Sequence, residues 1–181
     1  MKNIVVAHGH TSIEVLHSLT PMILASSNTN DWKWSFIDYR FSNIFNREGD
    51  ILILVRKYHD GKTANSEIIR ELLNLRKNFS KIVYFDDSAA ASIAFFCAFP
   101  FVDQYWKRSK LIDENLYKKK LYGGHVYSDF YHKKFGVDDK SQNFFNPVAT
   151  NETDMKKLKI SWNIGIGIYP LKSNDILDRH Y

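Results

Sequence analysis

The chain has 181 residues, 44% apolar and 15% aromatic, which suits one core of the size usual for about 100–200 residues and excludes a disordered segment. Its one cysteine, Cys97, excludes an internal disulfide and fits a reducing, cytoplasmic setting. Net charge is +5, and residues 105–134, with eight Lys/Arg against three acids, carry as much as the whole chain. Such a surface attracts phosphate, nucleic acid or anionic lipid, or is simply a solvated charged face.

Ile4–Ala7 is a short apolar run ending in His8-Gly9-His10, as a buried parallel strand would end. It is too short for a signal segment, and no later stretch reaches the roughly 18 uninterrupted apolar residues of a membrane span. Thr11-Ser12-Ile13-Glu14 has the spacing of a capping box and predicts a helix through Ile13, Leu16 and Leu19, with Pro21 expected to shorten or kink it. Trp34–Tyr39 reads as a second strand. Asp50–Val55 is the clearest buried strand, followed by a loop over 57–61 and a helix over about 65–78 with Ile68, Ile69, Leu72, Leu73 and Leu75 on its apolar face.

Lys81–Phe85 is the next strand, closed by Asp86-Asp87-Ser88. The Ala-rich segment 89–98 predicts a closely packed helix, and Val102–Trp106 begins another strand. Strands alternating with helices at this spacing imply a Rossmann-like α/β fold, a parallel sheet flanked by helices with right-handed crossovers. The alternation fades after about residue 110, leaving one domain over 1–181 with a less regular, aromatic and basic C-terminal part. Tyr122-Gly123-Gly124-His125 reads as a turn, and Asn163–Ile168 is too Gly-spaced to assign.

Ligands of such sheets bind beyond the carboxyl ends of the strands, which points to loops 8–12, 56–61 and 86–89. His8 and His10 flank a glycine before a capped helix, where an imidazole can relay a proton and helix amides can seat an anion. Two partly exposed loop histidines would look the same, and metal binding would need a third ligand. Asp86 and Asp87 can act as a base or hold a ligand hydroxyl, or one of them can cap the next helix. Arg56 can meet a phosphate or pair with Asp86 or Asp87, with His59 in the same loop. In 117–132, Tyr122, His125 and their aromatic neighbours can stack on sugars or pack beneath a long loop.

No dinucleotide fingerprint, Walker motif or nucleophile elbow is present, and Cys97 among small apolar residues reads as packing.

Val55-Arg56-Lys57-Tyr58-His59-Asp60, Val83–Ala89, Val102–Arg108 and Leu121–His125 running to Tyr131-His132 resemble phrases in the amino-terminal half of bacterial glycosyltransferases from capsule and O-antigen clusters, with Trp162–Gly165 a weaker match. The resemblance implies half of a GT-B architecture, the half that binds the acceptor. One of His8, His10, Asp86 or Asp87 would then be the base that deprotonates the acceptor hydroxyl. Arg56, His59, Lys107, Tyr122 and His125 would contact substrate, the cations taking phosphate of a lipid-linked acceptor or donor. The resemblance implies no metal, no bound cofactor and no nucleic acid, and adds peripheral contact with the inner face of the membrane. The nucleotide-sugar donor would be held by a missing or separate carboxyl-terminal domain. The alternative is a non-catalytic module that binds a phosphorylated ligand or a polysaccharide-assembly partner.

Overall fold

The computed structural model describes residues 1–9, 13–56, 65–88, 90–138, 144–149 and 151–162, and for 13–18 the backbone alone. His10, Thr11, the loop 57–61 with His59, and the segment 163–168 therefore lie outside the described residues, as does the side chain of Glu14.

Six strands form one sheet: β1 (Lys2–His8), β2 (Trp32–Asp38), β3 (Gly49–Arg56), β4 (Phe79–Asp86), β5 (Gln104–Lys107) and β6 (Leu158–Ile160). Their order is β2-β1-β3-β4-β5-β6, and every ladder is parallel. The expected parallel α/β sheet is what forms. The order reverses between β1 and β3, which makes the carboxyl ends of those two strands the switch point where such sheets bind ligands.

Side chains alternate across a strand, and partners in register on a parallel sheet share a face. Ala7, Ile37, Leu54, Tyr84 and Tyr105 fall on one face, with Val6, Phe36, Ile53, Val83 and Phe85 on the other; each set belongs to its own apolar cluster. The two layers are covered unequally, for a topological reason. The β1–β2 crossover runs in the opposite direction along the sheet from all later ones, so right-handedness sends it to the opposite face. That crossover is α1 (Ile13–Ser27), whose Leu19 and Met22 pack on the Phe36–Val55 layer. All later crossovers pack on the Tyr84 layer through Ile44, Ile68, Leu72, Leu75, Phe99, Tyr117 and Met155.

The helices depart from expectation in three places. α1 continues through Pro21 without ending there. α2 (Asn65–Leu75) stops before Arg76, and its buried stripe is Ile68, Leu72 and Leu75 while Leu73 faces outward. No helix spans the Ala-rich segment among the described residues; 90–95 is irregular and a 3₁₀ helix covers Phe96–Phe101. Its backbone is claimed by distant side chains: Tyr117 Oη donates to Ala91 O at 2.7 Å, Lys107 Nζ to Ile93 O at 2.7 Å, and Phe95 N–H donates to Tyr105 Oη at 3.1 Å. Tertiary hydrogen bonds satisfy these groups in place of a helical ladder.

Beyond β5 come a 3₁₀ helix over Glu114–Lys118, α3 (Val126–Phe135) and α4 (Glu152–Met155). The turn at 122–125 forms as expected, with Gly123 and Gly124 at φ 64° and 70°. A side chain at Gly124 would also press on Ile93 and Phe144 at 2.9 Å. Among the described residues no helix is long and apolar enough to cross a membrane.

Candidate functional site

The carboxyl edge of the sheet gathers polar side chains into two groups, one on each face. On the α1 face, β1 ends in His8 and β2 in Asp38, paired in register. Both are buried. Asp38 accepts Arg40 Nε at 2.9 Å and the Arg40 backbone N–H at 3.0 Å, and the other Arg40 guanidinium nitrogen completes a forked ion pair. Burial opposes ionisation of Asp38, but the Arg40 hydrogen bonds and the charges of His8 and Arg40 outweigh it and hold its carboxyl below the ordinary value. Asp38 thus stays an anion beside His8.

The other face carries a closed network. Asp86 and Lys107, registered neighbours at the ends of β4 and β5, are fully buried and 2.8 Å apart. Lys107 Nζ also donates to Ser88 Oγ at 3.1 Å and to Ile93 O, so its three protons are all used. Asp86 Oδ2 accepts Tyr105 Oη at 2.8 Å as well, and Oδ1 accepts the Ser88 N–H at 3.0 Å. Burial and then the Asp86 charge push the Tyr105 hydroxyl well above its ordinary range, which keeps it a donor. Asp86 thus closes a local turn onto Ser88, but no helix begins there among the described residues, so the expected helix cap does not form.

Asp87 goes the other way. Its N–H still bonds Arg56 O at 3.2 Å, so strand alternation runs one residue further and carries Asp87 to the His8 face. There it forms an ion pair with Arg108 Nε at 3.1 Å.

The expected meeting of His8 with Asp86 or Asp87 therefore divides. All three stand on one edge, but Asp86 occupies the opposite face from His8. Asp87 shares the face of His8 but lies two strands across and two residues further along, about 12 Å at ordinary strand geometry.

The expected substrate contacts also separate. Arg56 pairs with Glu71 rather than with Asp86 or Asp87, and its guanidinium lies over the Tyr39 ring at 4.8 Å. Burial raises the Glu71 carboxyl above its ordinary value, with Arg56 pulling against it. These groups and Arg40 line a cleft of about 410 Å³ whose two arginines are each matched by a carboxylate. Lys107 is enclosed. Tyr122 is buried with its ring stacked on His132 at 3.9 Å, and His125 sits at the start of α3, stacked on Tyr127 at 5.0 Å.

Sequence reasoning passed over Asp38, Arg40, Glu71, Tyr105 and Arg108 as site partners. Only Asp38-x-Arg40 left a local trace; the others become partners through register or through α2. Among the described residues no three His, Cys, Asp or Glu side chains cluster as a metal site would require. Neither a family model, nor a curated protein, nor a solved structure matches this chain.

Proposed function

We propose that the chain is the acceptor-side half of a GT-B glycosyltransferase that builds capsule or O-antigen polysaccharide at the cytoplasmic face of the membrane. The observation that supports this most is the pair His8–Asp38 at the carboxyl edge, beside the reversal of strand order, with Asp87–Arg108 on the same face. Sugar transfer to a hydroxyl needs a base with a pKa near neutral and a cation for the acceptor's phosphate. His8, in register with an ionised Asp38, suits the first task, and Arg108, which shares its guanidinium with Asp87, suits the second. Asp86 is a poor base here, because it is fully buried and Lys107, Tyr105 and the Ser88 amide take three of its roughly four lone-pair sites. Asp87 is committed to Arg108, which leaves His8 of the four candidate bases among the described residues, with His10 two residues further along the chain.

The test is equilibrium binding of the full chain to a polyprenyl-pyrophosphate-linked sugar and, separately, to a panel of nucleotide-sugars. Acceptor binding that weakens roughly tenfold in Arg108→Gln, with little or no nucleotide-sugar binding, is expected. Tight nucleotide-sugar binding without acceptor binding would sink the assignment.

A further inference from the structure

Among the described residues the sheet ends at β6, and one side of that strand is open. In a parallel ladder, alternate residues of a strand bond a given neighbour. Lys157 O accepts the Tyr105 N–H at 2.9 Å and the Ser161 N–H donates to Lys107 O at 2.7 Å, so the odd-numbered residues face β5. Leu158 and Ile160 therefore turn their backbone N–H and C=O groups away from the sheet. Ile160 is 66% exposed, which leaves its outward groups within reach of another chain.

A cleft of about 590 Å³ lies beside this strand. Met155 and Lys156, just before β6, line it, as do Leu158 and Lys159 within the strand and Lys110, which follows the Lys107 that pairs with Ile160. The lining thus draws on both ends of β6. Four of its residues are lysines and two are glutamates. Glu114 is paired with Lys110 and Glu152 with Lys118, so both carboxylates are taken. Among the described residues, exposed Lys156 and Lys159 are in no ion pair. A surplus of positive charge therefore stands next to unpaired backbone groups.

Shortness and lysine commonly protect an edge strand from pairing, and β6 has both. That protection depends on the charge of the incoming strand. Antiparallel pairing of β6 with a second copy, centred on its middle residue, would oppose the two Lys159 side chains, and like charges directly opposite are destabilising. A strand that carries carboxylates meets the same lysines favourably.

We infer that the β6 edge docks an extended acidic segment of a partner protein, which joins the sheet as a further strand. Main-chain bonds to Leu158 and Ile160 supply affinity, and Lys156 and Lys159 select for acid. The inference is independent of the transferase reading, since none of His8, Asp38, Asp87 and Arg108 lines this cleft, and the two fail separately.

Fluorescence anisotropy of a short labelled peptide of alternating glutamate and valine, titrated with the full chain, tests it. Binding should weaken as salt rises, and roughly fivefold in Lys156→Gln/Lys159→Gln. Methylating alternate amide nitrogens of the peptide keeps its charge but removes its donors, and should cost roughly tenfold. Ile160→Pro deletes one outward N–H and no bond to β5, and should cost roughly fivefold. Amide exchange at Leu158 and Ile160 should slow when the peptide is bound. Should Ile160→Pro misfold by circular dichroism, the methylated peptide and the exchange pattern decide the matter on the unaltered chain. No binding would overturn the inference, as would a methylated or lysine-for-glutamate peptide that binds like the parent peptide. Unchanged exchange at Leu158 and Ile160 under saturating peptide would also overturn it. So would an oligodeoxynucleotide that displaces the peptide and binds Ile160→Pro as tightly as the parent, since the cleft would then be a general polyanion surface.

Discussion

Lys107 is the residue whose role changes most between sequence and structure. A lysine in a basic run invites a surface reading, yet it ends β5 with no exposure, and all three of its protons reach acceptors. Removing one partner of such a pair strands the other charge in low dielectric, which costs about 3–5 kcal/mol. Lys107→Met should therefore lower stability by about that amount in urea denaturation, and Lys107→Met/Asp86→Asn should cost less than the two single changes together. Asp38 gives a pH signature. Its folded-state carboxyl lies below the ordinary aspartate value, so the stabilisation is complete above about pH 3.9 and is lost as pH falls through the lower folded value. Arg40→Gln should thus destabilise most at neutral pH, with the gap to the parent closing in acid, as measured by urea midpoints across the range. Cys97, whose thiol is pushed up by burial, should react with iodoacetamide more slowly than a free cysteine at neutral pH.

Between elements, close approach governs the edge where the site lies. The Tyr39 ring rests where a side chain at Gly9 would stand: a Cβ there would meet the ring at 2.0 Å. Tyr39 is held in turn by its N–H to His8 O at 2.8 Å and by the Arg56 guanidinium. Gly9→Ala should cost about 1–3 kcal/mol through overpacking, and Gly9→Ala/Tyr39→Ala should recover part of that loss in a double-mutant cycle. The glycine between two histidines thus has a packing reason independent of any anion seat. The Ala-rich segment shows the opposite influence: local propensity favours a helix, but Tyr105, Lys107 and Tyr117 bind its backbone from positions 10 to 26 residues away.

For the molecule as a whole, parallel pairing places the central strands under the most protection. Val6, Leu52, Leu54, Ile82 and Tyr84 are all buried on β1, β3 and β4, while β6 pairs over three residues at the edge. Amide exchange should be slowest on β1, β3 and β4 and fastest on β6 and α4, and the reverse ranking would contradict this sheet order. Much of this architecture was legible beforehand, because a buried parallel strand announces itself as an apolar run whatever its neighbours are. Ile4–Ala7, Asp50–Val55 and Lys81–Phe85 are such runs, and each lies inside an observed strand. The site was legible only as an edge. Linear spacing put His8, Arg56, Asp86 and Asp87 at strand ends, but it held no information on face or partner.

What the sequence determined by itself is therefore the class of fold, the first five strands and the edge on which chemistry collects, while β6, three residues long, left no apolar run to read. These follow from apolar periodicity and turn residues, which act over a few positions. Only the tertiary structure decided that Asp86 turns inward to Lys107 while Asp87 turns to Arg108, and that His8 stands with Asp38. Each of those depends on strand register, where a shift of one residue moves a side chain to the opposite face, and register is set by packing between segments distant in the chain.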